Sequence, residues 1–99
     1  MQAIDGAHAV TDNATGHRFE MPVGDEVAFV EYRRDGATLV LTHTEVPEAL
    51  NGQGVGSRLA RGVLDLLRAQ GRRAASECSF VNAYVKRHPD YRDVVEPRG

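Results

Sequence analysis

The sequence predicts an α+β fold: a twisted, mixed and mostly antiparallel sheet, a βαβ unit bearing a ligand loop, and a C-terminal helix. Three observations carry this. Residues 1–46 read as short strands broken by turn clusters. After glycines at 52, 54 and 56 the apolar period changes from two to about 3.6. The order strand 37–46, helix 54–70, strand 73–78 is then a βαβ unit, whose two strands should be parallel and joined by a right-handed crossover.

The elements follow in order. Ala7 to Val10 reads as a short strand, and Asp12-Asn13-Ala14-Thr15-Gly16 as a turn. His17 to Met21 resumes as a strand with Phe19 and Met21 on one face, closed by Pro22 and Gly24. Glu26 to Arg33 follows, ended by the tight-turn dipeptide Asp35-Gly36. Ala37 to Val46 is the longest and most β-branched strand, as suits a central position. Val55, Leu59, Val63, Leu66 and Leu67 form one helical stripe, with Arg58, Arg61, Asp65 and Arg68 on the other face. Gly71 stops that helix. Arg73 to Cys78 is a short strand, and Ser79 is placed to cap a helix reaching Arg87 before Pro89.

At 99 residues the chain is expected to be a single domain, its core spanning about 7–95. Such a domain buries roughly 60–65% of its unfolded surface, which leaves no room for a second catalytic unit. A net charge of −2 argues against a nucleic-acid partner. Arg33-Arg34, Arg72-Arg73 and Lys86-Arg87 are local pairs rather than a basic tract. No apolar run approaches the ~20 residues of a membrane helix, so no membrane partner is expected. The first residues lack a basic segment followed by an apolar run, and Cys78 is the lone cysteine, so a reducing cytoplasmic setting is the simplest expectation.

Asn51-Gly52-Gln53-Gly54-Val55-Gly56-Ser57 joins strand to helix where parallel-strand ends should gather a ligand. Bare glycine amides at a helix N-terminus suit phosphate oxygens. A Walker loop is excluded because no lysine precedes Ser57. The dinucleotide fingerprint needs its third glycine later than this alternating pattern supplies it. A merely flexible turn is the competing reading of the same residues.

The stretch Asn51-Gly52-Gln53-Gly54-Val55-Gly56 resembles motif A of the GNAT superfamily of N-acetyltransferases, Arg/Gln-x-x-Gly-x-Gly/Ala. The runs His43 to Pro47, Cys78 to Val85 and His88 to Tyr91 resemble its small YjdJ-type branch, so the likeness extends from Ala7 to Val95. The resemblance implies acetyl-CoA as cofactor. Its pyrophosphate would lie on Asn51, Gly52, Gln53, Gly54, Val55, Gly56 and Ser57, and its pantetheine arm on the backbone of Glu45 and Val46. Asn82, Lys86 and Arg87 would meet the phosphoadenosine end. Asn51 departs from the usual Arg or Gln, which removes a long side chain near the phosphates. Ser79 stands where the branch often has proline.

Acetyl transfer to an amine needs a group to take the amine's proton, because a free lysine titrates near 10.4. It also benefits from a donor to the departing thiolate. Period-2 alternation puts His43 and Glu45 on the side of Leu39 and Leu41. Glu45, at the strand end beside the loop, is the stronger candidate base, and a core His43–Glu45 pair is the competing reading. Cys78, between a strand and a helix N-terminus, is either a buried small hydrophobe or a site thiol. Tyr84 either donates to the leaving sulfur or packs with Phe80 one turn before it. No metal site is expected. The expected activity is acetyl-CoA-dependent acetylation of a primary amine, a protein lysine or a small molecule, by a monomer or homodimer. The rival is a non-catalytic CoA-binding or protein-interaction module on the same fold, which Asn51 favours.

Overall fold

The computed structural model describes residues 9–98. Alternating apolar residues on strands β2 (Arg18–Val23) and β3 (Glu26–Asp35) pair in register, Phe19 with Val30 and Met21 with Ala28, and turn one face inward. Two-residue turns close the β2–β3 hairpin and the next one, between β3 and β4 (Thr38–Glu45). Gly24 (φ 60°) and Gly36 (φ 63°) begin them in the left-handed region, where a Cβ would be strained. A short β1 (Thr11–Asn13) pairs with β2. Helix α1 (Val55–Ala69) then leads to β5 (Ala74–Ser76), and helix α2 (Ser79–Arg87) to β6 (Val95–Pro97). The sheet order is β1-β2-β3-β4-β5-β6; the first three pairings are antiparallel and the last two parallel.

Both helices pack into one core cluster with Phe19, Met21, Val30, Tyr32, Leu39 and Leu41. The buried stripe of α1 is Val55, Leu59, Ala60, Val63, Leu64 and Leu67. Leu66, expected in that stripe, is only partly buried, and Leu64 takes its place. α1 ends in a Schellman turn: Gly71 (φ 65°) donates to Arg68 O at 3.0 Å and Arg72 N–H to Leu67 O at 2.9 Å. The other sheet face is largely polar, as one face of an antiparallel sheet often is. There Arg33 makes a two-pronged contact with Glu77 at 2.8 and 2.9 Å, spanning β4.

Several boundaries differ from expectation. The first strand among the described residues is Thr11–Asn13; of the expected strand Ala7–Val10, residues 9 and 10 lie outside any strand, and residues 7 and 8 lie outside the described residues. Asp12 and Asn13, assigned above to a turn, pair with Phe19 and Arg18. Asn13 still makes the turn, its Oδ1 accepting from Gly16 N–H at 3.0 Å. β2 runs through Pro22 to Val23 instead of closing at proline. β6 went unanticipated: three residues ending in proline give almost no pattern, and an edge position tolerates the missing N–H.

Two phenols fasten sequence-distant elements. Tyr32 OH donates to Asp12 Oδ1 and Tyr91 OH to Asp65 Oδ1, each at 2.6 Å. Burial, then these bonds to carboxylates, raise each phenol from 10.0 to about 12. The folded state thus favours the protonated phenol. That stabilisation is fully present below pH 10 and disappears as pH rises towards about 12. Denaturant midpoints should therefore fall steeply over this window in the wild type and less in Tyr32→Phe/Tyr91→Phe; parallel curves would show that the phenols are not responsible.

Candidate active site

A β-bulge in β4 creates the site. Tyr32 pairs with Leu41 but Glu31 pairs with His43, so Thr42 is the extra residue. Alternation changes phase there. Leu39, Leu41 and then Thr44 face the helices, whereas Val40, His43 and Glu45 face the other side. Pairing between β4 and β5 ends at Leu41–Ser76, followed by one bond from Glu77 N–H to Leu41 O at 2.8 Å. Beyond it the strands part, bridged by Thr44 Oγ1 and Cys78 Sγ at 3.2 Å.

A cleft of about 380 Å³ opens at this parting. Thr44, Val46, Leu50 and Phe80 form its walls, and the glycine loop its rim. Leu50, on a single 3₁₀ turn from Glu48, is buried and anchors the loop. Gly52 (φ 81°) and Gly54 (φ 71°) are left-handed, and Gly54 is the N-cap of α1. Because no side chain caps that end, its first amides are available to an anion. A Cβ on Gly54 would stand 3.8 Å from Arg58 Nη1, so an exposed guanidinium flanks the loop. The sequence pattern had left Arg58 on the solvent face without a role.

Of the residues expected to hold the cofactor, Val46, Asn51, Gly52, Gly54, Val55, Gly56 and Ser57 line the cleft. Gln53 instead reaches back to Ala49 O at 3.5 Å. Asn82 donates to Arg98 O at 3.2 Å, away from the cleft, and Lys86 and Arg87 lie in the last turn of α2.

The expected catalytic group is divided. His43 and Glu45 do not share a face with Leu39 and Leu41, because the bulge reverses the alternation. They are half-exposed on the opposite face, His43 Nε2 2.9 Å from Glu45 Oε1. Cys78 is buried behind Thr44, its sulfur in contact with the Thr44 hydroxyl. It, rather than Ser79, is the N-cap of α2, and Ser79 is the first helical residue. Tyr84 is buried and stacked on His88 at 4.3 Å rather than on Phe80, and it does not reach the cleft. Burial raises its phenol. Thr44, Leu50 and Phe80 are the wall residues that sequence reasoning missed. Period-2 counting cannot place Thr44 across a bulge, and in the sequence Phe80 is only a packing partner for Tyr84 one turn on.

Residues 18–94 match the family described as GCN5-related N-acetyl-transferase. The chain belongs to that family. A GCN5-like protein from Staphylococcus aureus, solved by NMR, superposes with a TM-score of 0.65 at 26% identity, covering 94% of this chain and 92% of that one. Protein NATD1 of Homo sapiens is 36% identical over 63 residues, 63% of this chain and 56% of that protein. Protein NATD1 of Xenopus tropicalis is 36% identical over 52 residues, 52% of this chain and 48% of that protein. The match thus spans about half the length of these curated relatives. Among the described residues, no helix is long and apolar enough to cross a membrane, and no group of three or more acidic, histidine or cysteine side chains could hold a metal.

Proposed function

We propose that this chain binds acetyl-CoA in the cleft and transfers the acetyl group to a primary amine by direct attack on the thioester. The observation that carries this reading is the continuity of the cleft. It runs from an uncapped helix N-terminus on a glycine loop to the parting of two parallel strands. The amides of Gly54 to Ser57, with Arg58 beside them, suit a diphosphate. The free edge of β4 at Glu45 and Val46 offers backbone groups to an amide-bearing arm. Acetyl-CoA would supply an acyl group already activated as a thioester.

This chain's own residues divide the proton work. His43 and Glu45 lie near the strand parting on the open face, from which an amine can approach. With Nε2 towards the Glu45 carboxylate, the other ring nitrogen of His43 is left to accept the amine's proton. On the cleft side, Thr44 Oγ1 lies 3.2 Å from Cys78 Sγ; with the thiol as donor, the Thr44 hydroxyl hydrogen is left for the sulfur that departs. Thr44→Val should therefore lower turnover about tenfold or more, the worth of one hydrogen bond to a charged group. Cys78→Ala, behind it, should stay within about threefold. A larger loss in Cys78→Ala than in Thr44→Val would move the chemistry to the thiol.

The reading is tested by calorimetric titration with acetyl-CoA, followed by thiol release in the presence of small amines and lysine peptides. Saturable micromolar binding with amine-dependent thiol release is the expected result. Binding without transfer to any amine would favour the non-catalytic CoA-binding module. Absence of binding at millimolar acetyl-CoA would overturn the cofactor assignment.

A further inference from the structure

Among the described residues, Phe80 is one of two large apolar side chains left exposed, at 38%, and it stands on the wall of the cleft. It occupies the first turn of α2, two residues beyond Cys78. Its ring rests against Gly56 on α1: a Cβ there would lie 2.7 Å from Cζ and 3.3 Å from both Cε atoms. Gly56 is not among the left-handed glycines, so its backbone conformation does not require glycine. The three loop glycines therefore serve two purposes. Gly52 and Gly54 permit the chain path, whereas Gly56 makes room for an aromatic ring.

We propose that Phe80 is a cofactor-specificity residue, an apolar wall against which the pantetheine arm packs, held at the correct depth by the bare Cα of Gly56. This rests on the cofactor reading above and assigns one wall of that site. Val46, Leu50 and Val55 supply the facing apolar surface. A diphosphate on the loop amides needs no such surface; the methylene and geminal-dimethyl carbons of pantetheine do. An exposed ring in a cleft gains by covering itself with such carbons, on the scale of one partly buried aromatic side chain.

The test is CoA affinity by calorimetry for the wild type, Phe80→Ala, Gly56→Ala and the double variant, each confirmed folded by its thermal transition. Phe80→Ala should weaken CoA about tenfold. Gly56→Ala should push the ring into the cleft and weaken CoA by at least as much. The ring is the movable end of a side chain, so the fold should survive. The double variant should bind no worse than Phe80→Ala alone, because the methyl then has no ring to displace. If the wild type binds and Phe80→Ala binds equally well, the wall assignment fails while the cofactor reading stands. A double variant weaker than both single variants would place the Gly56 effect on the phosphate amides and overturn the coupling. A raised KM for the amine at unchanged CoA affinity would assign Phe80 to the acceptor instead. Failure of the wild type itself to bind CoA would overturn the cofactor reading and this inference with it.

Discussion

Gly54→Asp is expected to lower CoA affinity about a hundredfold or more, about 3 kcal/mol, in a chain that still folds. Gly54 caps α1 with φ 71°, at the one point where loop and helix amides converge. An aspartate there would set a carboxylate against the diphosphate, with like charges close together at a partly solvated site. It would also lie within reach of Arg58, whose Nη1 stands 3.8 Å from the new Cβ, and would divert that cation from the ligand. The conformational cost is modest, about 1 kcal/mol, because Asp and Asn tolerate left-handed φ better than other side-chain-bearing residues. Gly54→Asn isolates the charge: it carries the same strain and similar bulk, and should retain most of the affinity. Equal losses in both variants would mean that bulk, not charge, excludes the ligand, and would remove the argument for a phosphate at this position.

The fold and the loop were legible in the sequence because local rules agree there with the tertiary result. Phe19, Met21, Ala28, Val30 and Tyr32 alternate as a half-buried sheet requires, and every one is buried. The switch of period at the glycines located α1 to within a residue at each end. The geometry of the candidate site was hidden for a specific reason. Thr42 looks like any β-branched strand residue, and only its lack of a partner on β3 makes it a bulge. That one residue sends His43 and Glu45 to the opposite face and brings Thr44 into the cleft. The Gly56–Phe80 contact joins positions 24 apart on two helices, and no local pattern encodes it. Tyr84 was misplaced for the opposite reason: helical spacing fixed its face, but the C-terminal His88 rather than Phe80 covers its ring.

Leu59→Ala is expected to destabilise the chain by about 3 kcal/mol, through lost transfer energy plus the cavity left behind. A small domain has 5–15 kcal/mol in total, so the thermal midpoint should fall on the order of 15 °C. Leu59 is 0% exposed and sits one turn beyond Val55 on the face that fixes α1 to the sheet. Arg61→Ala on the same helix is the control. Its side chain is 71% exposed and its contact with Asp65 is 3.7 Å, so the change should stay within about 0.5 kcal/mol. The stripe that anchors α1 also aims its N-terminal amides into the cleft, so a ligand held there should oppose loss of the anchor. CoA at a hundred times its Kd adds about 2.7 kcal/mol to whichever chain binds it when folded. CoA at that concentration should thus return Leu59→Ala close to the unliganded wild type, and should add no more than about 0.4 kcal/mol to Leu59→Ala/Gly54→Asp. Equal rescue of both would place CoA binding outside the loop, because the double variant keeps the rest of the surface while its phosphate site carries the wrong charge.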